Sequence, residues 1–400
     1  MPAASHPVQH HFWAIFAVFL RLGLTSFGGP IAHLGYFRQE FVYKRQWLSE
    51  QAYAELLALC QFLPGPASSQ VGIAIGLQRG GAAGALAAWL GFTLPSALAL
   101  FCFALYLHDL SNSFGSNWLH GLKVLAVAVV AQAILGMGKT LCPDIPRKTL
   151  AFVVCLILLW LPGAGWQLLA IGLGALAGKF ILTLPPLKND STPLQAVISK
   201  PLAGLLLLTF FLLLLLLPVL ANLFHQPALW LFDSFYRSGA LVFGGGHVVL
   251  PLLEAELVPD MVSQDTFLAG YGAAQAVPGP LFTFSAFLGA FAVPNHSPWL
   301  GALIALSAIF LPAFILVLGV LPFWSELRKR HGVRQALSGV NAAVVGVLLA
   351  AFIQPVLSSA ILSMQDLLLA LLSFALLQFT RIPPYLLVLL CAVAAGLGWH

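Results

Sequence analysis

Residues 266–325 read TFLAGYGAAQAVPGPLFTFSAFLGAFAVPNHSPWLGALIALSAIFLPAFILVLGVLPFWS, without one Asp, Glu, Lys or Arg. Residues 201–232 form a second charge-free run and residues 82–107 a third. A bilayer core of about 30 Å is spanned by about 20 apolar residues in a helix, so each run can cross it at least once. The rest of the chain agrees. Of its 400 residues 60 % are apolar and 8 % charged, against about 45–50 % and about 25 % in an average globular domain. Too few charges remain to cover a soluble surface, and the sequence reads as an all-α polytopic membrane protein.

This composition excludes several function classes. The formal charge is +5, from 18 basic and 13 acidic residues, yet the Lys and Arg are scattered between apolar runs. They read as topology signals and not as a nucleic-acid face. Met1 to His11 carries no Lys or Arg and so lacks the basic region of a signal peptide. Cys60, Cys102, Cys142, Cys155 and Cys391 form no CxxC pair, and most lie in apolar segments, where a free Cys behaves as a small hydrophobe. No Walker A, GxSxG or HExxH pattern occurs, so no catalytic residue, metal site or cofactor is expected. Uphill transport would then run on an ion gradient.

The chain repeats itself. Arg21 and Gly23 precede Phe27-Gly28-Gly29-Pro30, and Arg237 and Gly239 precede Phe243-Gly244-Gly245-Gly246 at the same spacings. Gln61 with Pro64-Gly65-Pro66 is matched by Gln275 with Pro278-Gly279-Pro280, and Leu94-Pro95 by Leu311-Pro312. Landmarks in one order at nearly one offset mark a tandem duplication. The expected units are a first repeat with its joint (1–200), a connecting transmembrane helix (201–227) and a second repeat (228–400). In each repeat a glycine-interrupted helix is followed by a charged loop, two short helices broken at Pro-Gly-Pro, and four longer apolar segments.

Equivalent loops carry opposite charge. The loop after the first helix holds Arg38, Lys44 and Arg45 in the first repeat, but Glu254, Glu256, Asp260 and Asp265 in the second. After the fourth segment the bias reverses: Asp109 in the first repeat, Arg328, Lys329, Arg330 and Arg334 in the second. The positive-inside tendency therefore predicts inverted-topology repeats. If the broken elements are re-entrant, nine crossings place Arg147, Lys148, Lys188, Lys200 and Arg381 on the cytoplasmic side as well.

Candidate site residues cluster at the breaks. Arg21 and Arg237 are paired charges at depth, which makes them functional-site candidates, and the guanidinium fork matches oxyanion geometry. Gly28, Gly29, Pro30, Pro64, Gly65 and Pro66, with Gly244, Gly245, Pro278, Gly279 and Pro280, free backbone that is tolerated in a membrane only where it is buried or lines a wet cavity. A helix start there presents positive partial charge to an anion. Ser26, Gln61, Ser68, Ser69, Gln70, Gln275, Thr283 and Ser285 flank the breaks as hydroxyl or amide donors. His33 and His247 are candidates for proton coupling.

Phe27-Gly28-Gly29-Pro30-Ile31-Ala32-His33, then Trp47-Leu48-Ser49, then Leu63-Pro64-Gly65-Pro66 resemble the signature of the chromate ion transporter family. The likeness to its long, two-domain bacterial members extends over essentially the whole chain. In the second repeat the motifs fall on Phe243 to Gly245 and Pro278 to Pro280, with Gly246 replacing the motif proline and no Trp in the loop. The resemblance implies a bacterial inner-membrane protein that exports chromate and confers chromate resistance. Residue types do not separate chromate from sulfate or another inorganic oxyanion. A homodimer, a passive anion channel and a membrane-embedded enzyme or scaffold remain open alternatives.

Overall fold

The computed structural model describes residues 11–114, 117–184, 194, 197–292, 297–380 and 382–398. Most of the joint expected before Lys200, including Lys188, lies outside these residues, as does Arg381. Among the described residues the regular structure is all helix, with no strand.

The first repeat contains α1 (Phe12–Thr25), α2 (Gly29–Arg38), α3 (Glu50–Phe62), α4 (Ala67–Phe114), α5 (Asn117–Leu141), α6 (Ile145–Trp160) and α7 (Ala164–Ile181). Helix α8 (Lys200–Phe224) follows. The second repeat contains α9 (Pro227–Leu241), α10 (Val249–Leu257), α11 (Gln264–Ala274), α12 (Phe284–Phe291), α13 (Pro298–Val320), the single turn α14 (Trp324–Leu327), α15 (His331–Ala351), the single turn α16 (Ser358–Ala360), α17 (Met364–Phe379) and α18 (Pro384–Gly396). Among the described residues six stretches are long and apolar enough to cross a membrane: Ala67–Leu107, Asn117–Leu141, Ala164–Ile181, Lys200–Phe224, Pro298–Leu327 and His331–Ala360.

Helix ends are set by the same chemistry in both repeats. Ser49 caps α3 by accepting from the Ala52 amide at 3.1 Å, and Ser263 caps α11 by accepting from the Thr266 amide at 3.2 Å. Gly28 and Gly244 take φ of +99° and +77°, Gly65 and Gly279 +121° and +97°, values that side-chain-bearing residues avoid. The duplicated glycines are therefore duplicated chain reversals.

Elsewhere in each repeat the chain also returns beside itself. At Gly80-Gly81 α4 leaves helical geometry, and Gly76 lies against the Gly84 backbone. In a straight helix those residues would be about 12 Å apart. Gly289 lies in the same way against Gly301. The Gly23 and Gly239 of the sequence motif serve the same packing. Gly23 abuts the carbonyls of Gly91 and Phe92, and Gly239 abuts that of Ile309, so a methyl at either would force the first helix off its neighbour.

The repeats exchange partners. Gly121 on α5 packs against the Cys391 backbone on α18, and Gly339 on α15 packs against Gly174 and Gly178 on α7. One contact is thus made twice, as across a two-fold axis. Ion pairs then show which loops share an end of the molecule. Arg328 meets Glu55 at 2.6 Å and Lys200 meets Glu326 at 3.4 Å. Arg79 donates to the Trp47 carbonyl in the basic loop, and one apolar span of α4 farther on, near the start of α5, Lys123 meets Asp265 at 2.9 Å. The basic loop before α3 and the basic loop after α13 therefore lie together, and the acidic 254–265 loop lies opposite. Equivalent loops occupy opposite ends, as in inverted repeats.

Candidate functional site

The four breaks meet at one place. The Gly65 amide donates to the Val242 carbonyl at 2.7 Å, and the Gly279 amide donates to the Ser26 carbonyl at 2.9 Å. Val242 is the repeat counterpart of Ser26, and Gly279 that of Gly65, so each Pro-Gly-Pro turn is tied to the glycine break of the other repeat. The neighbours correspond as well. A methyl at Gly65 would lie 3.8 Å from Ala313 Cβ and one at Gly279 2.9 Å from Ser96 Oγ. Pro30 packs against Gly246, joining the two glycine breaks. The Gly65 and Gly279 amides, expected to face a substrate, instead hold the repeats together.

Around this junction the first repeat is polar. His33, in the second turn of α2, has Nε2 3.1 Å from the Ser26 carbonyl and Nδ1 3.5 Å from Ser68 Oγ, in the first turn of α4. The N-termini of α2 and α4 thus converge, bringing two positive helix ends together. Ser26, Ser69, Gln70 and Thr93 are buried, and Ser26 Oγ, Ser69 Oγ, Gln70 Oε1 and Thr93 Oγ1 have no hydrogen-bond partner. The Ser96 hydroxyl donates to the Thr93 carbonyl at 3.1 Å, and Gln70 donates to the Pro64 carbonyl at 2.7 Å. A buried hydroxyl left unpaired costs about 1–3 kcal/mol. Three of them beside two helix starts make a setting that an anionic acceptor would relieve.

The second repeat builds the same backbone with other side chains. Val242, Val249, Phe282, Phe284, Phe310 and Ala313 stand where the first repeat has Ser26, His33, Ser68, Gln70, Thr93 and Ser96. All six are buried. Thr283 donates to the Pro280 carbonyl at 2.7 Å and Gln275 to the Tyr271 carbonyl at 3.3 Å. Ser285 Oγ is buried without a partner. His247 bonds through Nδ1 to the Tyr271 hydroxyl at 2.7 Å, which gives it a different setting from that of His33. Gly244 is exposed and lies beside Met137 and Asn341. In the first repeat Gly28 and Gln61 are exposed.

Arg21 and Arg237 stand on the entering legs, six residues before Phe-Gly-Gly and so about 9 Å away along the helix. Each meets a carboxylate on the returning leg: Arg21 reaches Glu40 at 3.9 Å, and Arg237 reaches Glu256 at 2.7 Å. The environments differ. The Arg21 side chain is 60 % exposed, whereas that of Arg237 is 18 % exposed and also bonded to both Asp233 oxygens. Arg237 therefore straps α9 to α10, with its fork already filled by carboxylates. The structure does not bring the two arginines together at the breaks.

Part of this site is marked in the sequence itself. Thr93 and Ser96 flank Pro95, and Asp233 stands one helical turn before Arg237; a repeated helix proline and an i, i+4 ion pair were the available signals. Asn341 had only its polarity within an apolar helix to mark it.

Comparison with known proteins agrees with the duplication. The family model described as "Chromate transporter" matches residues 13–179 and again 229–397. A chromate transport protein of Pseudomonas aeruginosa is 28 % identical over 359 residues, covering 87 % of this chain and 80 % of the relative. A probable chromate transport protein of Synechococcus elongatus is 29 % identical, covering 84 % and 82 %. An uncharacterized transporter of Methanocaldococcus jannaschii is 28 % identical, covering 85 % and 83 %. No solved structure matches the chain. With both of its halves matched by the family model, this multi-pass membrane protein belongs to the chromate transporter family.

Proposed function

We propose that this protein carries chromate outward across the bacterial inner membrane as a secondary transporter, and so confers chromate resistance. One observation carries the reading. Buried, unpartnered hydroxyls and two helix N-termini gather where the broken helices of both repeats meet. A tetrahedral dianion accepts hydrogen bonds in all directions and carries no donor of its own. It therefore matches Ser26, Ser69 and Thr93 together with the positive ends of α2 and α4. The glycines and prolines at Gly28, Gly29, Pro30, Pro64 and Pro66, with Gly244, Gly245, Pro278 and Pro280, keep the backbone open there. The Gly65 and Gly279 amides bind the repeats into one body.

Arg21 serves as an outer attractor for the anion, and Arg237 as a strap. The re-entrant legs support nine crossings, four in each repeat with α8 between them, and a cytoplasmic position for Arg38 to Arg45. Uptake of labelled chromate into everted membrane vesicles tests the reading, with and without a proton gradient and with competing sulfate. Gradient-dependent accumulation inside the vesicles is the expected result. Chromate flux that never exceeds equilibrium replaces the transporter with a channel, and stronger uptake of sulfate than of chromate changes the substrate.

A further inference from the structure

The chemistry at the breaks leaves one buried ionisable group unused. Glu254 stands on α10, the returning leg of the second repeat, eight residues beyond Gly246 and so about 12 Å farther along the chain if helical. It lines a cavity of about 360 Å³ bounded by the turn between α6 and α7, Gln167, Gln264 and Gln354. Only 7 % of Glu254 is exposed, and its carboxylate accepts a hydrogen bond from the Gln264 amide. No other described residue lining the cavity is ionisable.

The nearby charges are engaged elsewhere. On the same helix Glu256 is bonded to Arg237, and on α11 Asp265 is paired with Lys123. From α7 and the segment after α15 the cavity is faced by Gln167 and Gln354, which do not titrate. The buried carboxylate thus has no cation to hold it ionised, and desolvation pushes it up to about 7. Across the repeat the same position is the exposed Arg38, paired with Glu50 at 2.6 Å, so the duplication has replaced a cation with a lone carboxylate at the acidic end.

We propose that Glu254 is a proton-operated gate between the breaks and the acidic end of the protein. This rests on the reading of the breaks as an oxyanion site. Ionised, the carboxylate repels an approaching dianion. When it takes a proton from cavity water its charge disappears and the anion can pass; afterwards it returns the proton to water. No covalent bond to the anion forms, and the proton moves only between water and a carboxylate oxygen. Chromate flux is therefore set by the pH on the acidic-loop side.

The test uses the full chain in liposomes, measuring chromate flux against pH on that side for wild type, Glu254→Gln and Glu254→Asp. The readout is the difference between variants, which cancels any slope common to all three. For a group titrating near 7, the protonated fraction falls about tenfold between pH 6 and pH 8, and wild-type flux should fall with it. Glu254→Gln should hold its low-pH rate within about twofold across that range, while Glu254→Asp keeps the slope. The infrared band of a protonated carboxyl should titrate near neutral pH in wild type and be missing from Glu254→Gln. An unchanged slope in Glu254→Gln, or no such band in wild type, overturns the gate and leaves the transport reading intact. Wild-type protein that carries no oxyanion at any pH overturns the transport reading itself.

Discussion

The glycine break of the first repeat and that of the second have nearly the same backbone and very different surroundings. Around Gly28 stand Ser26, His33, Ser68, Gln70, Thr93 and Ser96; around Gly244 the matching positions are Val242, Val249, Phe282, Phe284, Phe310 and Ala313. Both breaks keep positive-φ glycines, and both are tied across the two-fold by a turn amide. The backbone is what the duplication has kept, and the polarity is what it has let diverge. Among the described residues the first break has the unpartnered hydroxyls of Ser26, Ser69 and Thr93, where the second has that of Ser285. Symmetric architecture here carries asymmetric surroundings.

The largest expected effect separates the two arginines. Arg237→Ala leaves Asp233 and Glu256 buried beside each other without their cation. Breaking a buried pair in this way costs about 3–5 kcal/mol. Membrane yield should fall severely, and thermal unfolding in detergent should show the loss of stability. Arg21→Ala removes a mostly exposed partner and should change stability by about 1 kcal/mol or less, while slowing chromate entry. Equal destabilisation by the two substitutions would erase the contrast drawn between the legs.

The next effect separates the two breaks. Ser26→Ala combined with Ser69→Ala removes two donors from the first break. At about 1.5–3 kcal/mol for a hydrogen bond to a charged group, even one such loss weakens chromate binding roughly tenfold or more. Phe282→Ala in the second break removes bulk but no donor, so it should lower stability and leave the affinity of surviving protein within about twofold. Isothermal titration with chromate distinguishes these outcomes, and a tenfold affinity loss from Phe282→Ala would restore a symmetric site.

A subtler contrast concerns the cross-repeat turns. A side chain at Gly279 meets Ser96 and the Phe92 backbone, whereas one at Gly65 meets the movable end of Gln70. Both positions also have φ unfavourable to side chains. Gly279→Ala should therefore melt lower than Gly65→Ala. The smallest test carries no energetic effect at all: single cysteines at Lys44 and Lys329 should label from one side of the membrane and a cysteine at Glu256 from the other. Labelling of Lys44 and Glu256 positions from the same side would refute the inversion.

Much of the architecture was legible because glycine and proline act through the backbone. Gly28, Gly65 and their counterparts mark reversals wherever they occur, and Lys and Arg mark ends by their cost in lipid. The exchange of partners was not legible. Nothing local in Pro64-Gly65-Pro66 indicates that its amide will meet residue 242, because that bond depends on how two distant segments dock. The arginines misled for a related reason. Their repeated position was visible, but the partners that decide their roles, Glu40 and Glu256, sat in loops read only for net charge.

The bonds across the two-fold also impose an order on how the protein is made. Val242 follows Gly65 by 177 residues, about 9–35 s of synthesis at about 5–20 residues per second. During that interval the turn amide of the first repeat lacks its eventual acceptor, and unpaired backbone is costly in lipid. The nascent half must therefore be sheltered, by the insertion machinery or by water held in the unfinished junction, until its twin arrives. A chain that ends between the repeats keeps a turn amide at Gly65 with no Val242 carbonyl to meet.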